Sequence, residues 1–358
     1  MTIRRLAALV AVLALAVSGW AHAQVTQRNA QFRLPARYNF RFYHEYPEAA
    51  RSFYAAHFAH FSVYEMLLDE GPDATDAMSQ LEEQIRLYVA NPPRLEPPAE
   101  IIAPDWSKIA YATGQAMDWT HMLHAQLYDI LADDRVQDKK AAGERAIAYY
   151  LSNERAAFST RGYGHAFMLG GGSWAETFVH KYTAINGILW AYHWHHAAVY
   201  EAMMEPDSVA RRAALERVIR VFHDSVVPNP PSYMPLTAQF APRFGELWPA
   251  AAHIFDNLHM MHDVVNDIMA DTRIPPAAKA GEIDRMLRQM QYANQDWVVP
   301  PPLPEGAHDH MPMEAMTIPT RLPDGRWLPQ GHPQGRRPDM EHTMPSQREE
   351  THRREGGR

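Results

Sequence analysis

Eight of the chain's 20 histidines fall into four pairs of the same spacing, and each pair is followed at a fixed interval by an acid. The first copy reads HFAHFSVYE, with His57, His60 and Glu65. HMLHAQLYD supplies His121, His124 and Asp129, and HWHHAAVYE supplies His193, His196 and Glu201. HMMHDVVND completes the set with His259, His262 and Asp267. Before the acid stand Tyr64, Tyr128 and Tyr200, whereas the fourth copy has Asn266. Imidazole with carboxylate is a ligand set for copper(II), zinc, iron or manganese.

The spacing places this chemistry on helices. At 100° per residue, His57, His60 and Tyr64 lie within about 60° of arc, with Glu65 about 80° to the other side of His57. The two imidazoles are roughly 4.5 Å apart in rise and the acid lies about 12 Å from the first. One helix can therefore offer two histidines to one metal or to neighbouring metals. The acid is too far along to share an ion with the first histidine of its own helix. It suits a second layer, a histidine of a neighbouring helix, or a salt bridge.

Four long segments, roughly 46–69, 107–132, 175–204 and 246–270, carry these pairs and show helical periodicity. Each is followed, after a turn rich in Pro, Asp or Gly, by a second helical segment: 76–90, 137–154, 208–224 and 277–294. The expected fold is all-α, four tandem helical hairpins arranged as an α/α toroid or a helical bundle. The second helices align as LEEQIRLY, GERAIAYY, LERVIRVF and IDRMLRQM, each with an acid at one place: Glu82, Glu144, Glu216 and Asp284. These acids reach the site in one packing and face solvent in the other.

A coarser repeat overlies the first. From Asn91-Pro92-Pro93 and from Asn229-Pro230-Pro231, an Ala-Pro, an aspartate (Asp118, Asp256) and a histidine pair recur at the same offsets. A hairpin doubled into a pair, and the pair doubled again, accounts for both periods. The halves would cover about 24–158 and 175–297, joined through a glycine-rich stretch that contains His165. Asp118 and Asp256 precede a histidine by three residues, as carboxylates that orient a metal-bound imidazole do. His195 points about 100° away from its neighbour His196 and falls outside the set.

Duplication copies any residue, so repetition alone is weak testimony. Neighbouring positions have nevertheless diverged while His, His and acid have not. Burying eight imidazoles and four acids without a compensating ion is costly; the competing reading is a hydrogen-bonded polar core.

Composition narrows the setting. With 358 residues and a net charge of −8, the chain has no basic run within the folded part, which argues against nucleic acid. Residues 1–23 read as a secretory signal: Arg4 and Arg5, an apolar stretch from Leu6 to Val17, then Ala21-His22-Ala23. No later segment is apolar enough to span a membrane, so the expected location is the periplasm or the exterior. The absence of cysteine excludes thiolate sites and covalently attached haem. Residues 298–358, rich in Pro, His and Met, are expected to be a disordered tail. Its HDHMPMEAM and MEHTM runs pair thioether with imidazole, a soft set that favours copper.

WHHAAVY around His196 and HAFMLGGG after His165 resemble type-3 copper proteins. The asparagine and the DPxF element of that family are missing, and its plan has no fourfold repeat. Ferritin-like di-iron proteins use Glu-x-x-His where this chain has His-x-x-His. The expected function is an exported protein that sequesters or delivers a transition metal, copper before iron or zinc. A multinuclear copper or non-haem iron oxidase acting on O2 or a small-molecule substrate is the second reading. A helical scaffold with structural or haem b-binding histidines is the third.

Overall fold

The computed structural model describes residues 41–94, 98–163 and 177–294. Residues 1–23, expected to be a secretory signal, the glycine-rich junction with His165, and the Pro/His/Met-rich end lie outside the described residues. Among the described residues the only strand-like feature is an isolated bridge between Phe158 and Gln291, and the rest is helix and turn.

Four long helices carry the histidines: α2 (Pro47–Asp69), α6 (Tyr111–Ala132), α9 (Thr183–Met203) and α13 (Pro249–Ala270). Each packs against the helix that follows it, respectively α3 (Thr75–Ala90), α7 (Lys139–Leu151), α10 (Ser208–Val221) and α14 (Pro276–Met290). The first of each pair is buried on nearly every face along its middle, while the second buries one stripe and exposes the other. The inner helices are mostly apolar and histidine-bearing, and charged residues are denser on the helix that follows, which dictates which of the two lies inside.

The turns have local causes. Gly71, with φ of 84°, ends α2 in the left-handed conformation that a side chain would resist, and Pro72 follows. Asp138 and Asp207 accept backbone N–H bonds at the starts of α7 and α10. Lys139 Nζ donates to the Ile130, Leu131 and Asp133 carbonyls, and Lys279 Nζ to those of Ile268, Met269 and Asp271. Each lysine thus closes the open end of the preceding inner helix, where cations are favoured.

Five short helices precede the inner ones: α1 (Arg41–Glu45) and α8 (Thr177–Lys181), then α4 (Ala99–Ile102) with α5 (Trp106–Ile109), and α11 (Thr237–Phe240), the last followed by a sixth, α12 (Pro242–Leu247). The sequence periodicity merges α8 with α9 and α5 with α6 and passes over the others, because four to six residues are too few to show a period.

The inner helices form a bundle in which α2 and α6 each adjoin α9 and α13. Ring contacts fix their directions. Phe53 touches His124, Tyr128 and His196, whereas four residues later His57 meets His121, so α2 runs against α6. Phe255 lies on His124 and Tyr200 while His259 stacks on His193, so α13 runs against both α6 and α9. The bundle therefore pairs α2 with α13 in one direction and α6 with α9 in the other. It is not the ring of four parallel helices that identical packing of four hairpins in a toroid implies. The two halves share one continuous core. Tyr182 Oη donates to the Pro72 carbonyl at 2.7 Å and Asn257 Nδ2 to the Ser159 and Arg161 carbonyls at 2.8 Å, tying them across.

Candidate metal centre

The bundle brings all eight paired histidines together on its axis, each between 1% and 5% exposed. His60 Nε2 lies 3.1 Å from His193 Nε2, and with His262 these two form a group whose ligand atoms lie within 4.8 Å of one another. A second such group is His57, Asp118 and His121, where His57 Nε2 is 3.3 Å from Asp118 Oδ1. His124, His196 and His259 bridge onward, with His196 Nδ1 at 3.4 Å from His259 Nε2. The rings of His193 and His259 stack at 3.9 Å, and those of His57 and His121 approach to 4.3 Å.

Several tautomers follow from the surrounding bonds. His60 Nδ1–H donates to the Ala56 carbonyl at 2.8 Å, one turn back on its own helix, which leaves the lone pair on Nε2 aimed at His193. Tyr200 Oη lies 2.7 Å from His124 Nδ1 and 3.4 Å from the His124 carbonyl. With Nδ1–H donating to the phenol and the phenol donating to the carbonyl, both groups are satisfied and His124 Nε2 keeps its lone pair. Tyr64 and Tyr128 likewise donate to histidine carbonyls, of His262 at 3.3 Å and His196 at 3.0 Å. The tyrosines thus hold the backbone behind the imidazoles.

Seven of the eight imidazoles are held neutral. Burial first, and the neighbouring imidazoles second, push His121, His124, His193, His196 and His262 well below the usual histidine range. Burial brings His60 down to about 4, partly offset by its bond to Ala56, and His259 to about 3. Neutral imidazole is the metal-ligating form. His124 Nε2, His193 Nδ1, His196 Nε2, His259 Nδ1 and both nitrogens of His262 are buried without a hydrogen-bond partner. Buried polar atoms in that state call for an explanation, and several converging on one axis call for a shared one.

The four acids of the repeat do different work. Glu65 accepts from the Asp105 and Trp106 amides at 3.0 and 2.9 Å, holding the segment that leads into α6. Asp129, on α6, accepts from the Phe42 amide at 2.7 Å, holding the segment that leads into α2. Glu201 accepts from the Arg243 amide at 3.1 Å and from its Nε at 2.5 Å, ahead of α13. Asp267 accepts from the Phe178 amide at 2.7 Å, ahead of α9. Each acid near the end of one inner helix thereby fastens the beginning of its antiparallel partner, reciprocally within each half. Glu65 also belongs to a partly exposed group with Asp69 and Asp105, away from the histidines.

Asp118 stands at the centre that the sequence suggested for it, but its counterpart Asp256 accepts from the Thr237 amide at 2.7 Å. The acids of the second helices sit on the outer side: Glu82 and Asp284 pair with Arg86 and Arg288, and Glu144 and Glu216 are exposed. His195 is buried against Phe222, with neither ring nitrogen bonded, and burial brings it to about 3. Sequence reasoning passed over Asp263, whose Oδ2 accepts from Trp190 Nε1 at 2.9 Å inside the bundle. Burial raises Asp263 to about 8. An acid at the first position after a histidine pair, where the other copies have phenylalanine or alanine, is the signal that marks it.

With two buried histidine groups on one axis, the arrangement can hold transition-metal ions at neighbouring positions. No protein family, curated protein or solved structure matches the chain, so the reading rests on this geometry.

Proposed function

We propose that this is an exported metal-binding protein that holds transition-metal ions in its histidine core and sequesters or delivers them. The observation that carries the reading is the convergence of eight buried imidazoles on one axis, with nitrogens of His124, His193, His196, His259 and His262 left without a hydrogen-bond partner. Two such nitrogens at 3.1 Å repel through their lone pairs unless a proton or a cation lies between them. A shared cation removes that repulsion for several histidines at once.

Copper is the favoured ion. The donor set is imidazole with one carboxylate, and the His/Met runs toward the chain's end supply thioethers for the reduced ion. Periplasmic location is proposed from the signal-like residues 1–23. The four repeat acids are assigned to fold anchoring, and Asp118 is the carboxylate offered to the centre. Direct ring contact at 3.9 and 4.3 Å across the axis leaves no slot for a porphyrin, which disfavours haem.

The oxidase reading draws on one observation, the phenols of Tyr64, Tyr128 and Tyr200 packed immediately behind the histidines. Metal analysis with an absorption spectrum, on protein purified from its native compartment, separates the readings. Sequestration gives bound metal, abolished by His60→Ala with His193→Ala, and no O2-dependent spectral change. An oxidase gives a fixed metal count and a spectrum that responds to O2. Absence of any bound metal, with stability unchanged in the double variant, would refute both.

A further inference from the structure

The two ends of the histidine axis are built from equivalent positions and carry different chemistry. At one end, four residues past the second histidines of α6 and α9, Tyr128 and Tyr200 stack at 4.2 Å. Phe53 and Phe255, four residues before the first histidines of α2 and α13, close over them at 6.1 Å from Tyr128 and 5.3 Å from Tyr200. That end is sealed by aromatic rings.

At the opposite end the same positions are Tyr64, Asn266, Met117 and Leu189. Two rings are replaced by aliphatic chains, and one phenol by a short amide. The register of α9 against α13 is set by His193 stacked on His259 and by Trp190 bonded to Asp263. One further turn of each helix brings Asn186 level with Asn266. Asn266 lies one turn beyond His262, on the same face, and so faces the axis as the tyrosines do.

These groups lack partners. Asn266 is 0% exposed with neither amide atom hydrogen-bonded, and Asn186 Oδ1 and Asp263 Oδ1 are buried in the same condition. Each orphaned group costs roughly 1–3 kcal/mol. Tyrosine at position 266, as in the other three copies, would reach a histidine carbonyl and avoid that cost. The nearest ligand group is His60, His193 and His262, and three imidazoles on one ion leave a further coordination position for a water or another small molecule.

Building on the metal-binding reading, we propose that the ion at His60, His193 and His262 keeps an exchangeable coordination position on the Asn266 side. Its occupant is a small ligand that both donates and accepts hydrogen bonds, of the water, hydroxide or peroxide class. The Asn266 amide donates to it, Asn186 Oδ1 accepts from it, and the Asp263 carboxyl lies beside it. The aromatic end has no such position. The protein thus holds one ion accessible to small molecules and shields the others.

Azide is the probe, titrated into copper(II)-loaded full-length protein and followed by its charge-transfer absorption and by electron paramagnetic resonance. The wild type is expected to bind azide at one copper per chain. Asn266→Tyr, which gives this end the residue of the other copies, is expected to keep its copper content and to lose the azide response. Asn266→Leu, similar in volume and without a donor, is expected to bind azide about tenfold more weakly or worse, the worth of a hydrogen bond to a charged group. Should Asn266→Tyr fail to fold, Asn266→Leu decides alone. Copper-loaded wild type that ignores azide, or an Asn266→Leu protein that binds it as the wild type does, overturns the proposal. Failure to bind copper at all overturns the metal-binding reading beneath it.

Discussion

Acidification of the metal-free protein is the perturbation that the histidine core makes most sensitive. An unfolded histidine titrates near 6.5. In the fold, His60 is held to about 4, and His195 and His259 to about 3, chiefly by burial. Between those limits the unfolded chain binds protons that the fold refuses, so stability falls as the pH drops below about 6.5. At pH 5 each of the three has lost about 2 kcal/mol, and together about 6 kcal/mol. Asp263 acts in the opposite sense. Raised to about 8 by burial, it takes up its proton in the fold while the unfolded carboxyl stays ionised. Between pH 7.5 and 5 it restores about 3 kcal/mol. The net loss is therefore about 3 kcal/mol from these four groups alone. His121, His124, His193, His196 and His262, displaced in the same direction, add to it. Against a total stability of about 5–15 kcal/mol, such a loss brings the metal-free protein close to unfolding at pH 5. Urea melts of chelator-treated protein at pH 7.5, 6.5 and 5 measure it, with the midpoint expected to drop only below pH 6.5. Metal-loaded protein, its imidazole lone pairs occupied, is expected to hold its midpoint to lower pH and then to release metal and unfold together. A metal-free midpoint that does not change between pH 7.5 and 5 would refute the account of a neutral, buried cluster.

Three further perturbations separate roles that the repeat alone runs together. Asp129→Asn, which weakens the anchor on the Phe42 amide, is expected to cost roughly 1–3 kcal/mol in a urea melt and to leave metal content unchanged. Loss of metal in that variant would return the acid to the ligand set. Asp118→Asn is expected to weaken metal binding roughly 10–100-fold in a competition titration, the usual effect of removing a carboxylate that orients an imidazole. Gly143→Ala places a methyl group 2.1 Å from Trp248 Cε2, where Trp248 Nε1 also donates to the Lys140 carbonyl. Such overpacking at the contact between halves is expected to cost about 1–3 kcal/mol, read as a lowered melting temperature with the histidine centre intact.

Much of the bundle was legible because its signals are local. The inner helices end within a residue of where periodicity and turn residues place them and three of the four begin within four residues, the third starting later at Thr183; His57, His60 and their repeats share a face because the helical angle requires it. Helix direction was not legible. It is set by the connectors after Ala90 and after the π-turn at Phe222–Val226, which return along the bundle before the next inner helix starts. The role of the repeat acids was hidden for the same reason. Glu65 and Glu201 hold amides some forty residues further along the chain, and no pattern within nine residues reveals that. Asp118 and Asp256 look alike in sequence, yet one faces His57 and the other the Thr237 amide. That difference arises in packing between α11 and α13, which composition does not encode.

Duplication and divergence together explain the centre's form. Reciprocal anchoring makes each half a unit: Glu65 holds the lead into α6 while Asp129 holds the lead into α2, and Glu201 with Asp267 repeats this for α13 and α9. Neither half alone encloses its histidines. His60 on α2 finds His193 on α9 and His262 on α13, both from the other half, so this ligand group exists only when the halves join. His57, Asp118 and His121, by contrast, come from the first half alone. Once joined, the two ends of the axis were free to diverge, since the anchors that set the fold lie off it. One end carries Tyr128 and Tyr200 with Phe53 and Phe255 packed over them. The other has the Asn266 amide where its counterparts have phenols and Met117 where they have a ring, with unsatisfied polar atoms in the core. A folding demand alone disfavours such unsatisfied atoms, and the proposed ligand at the His60 centre would offset their cost.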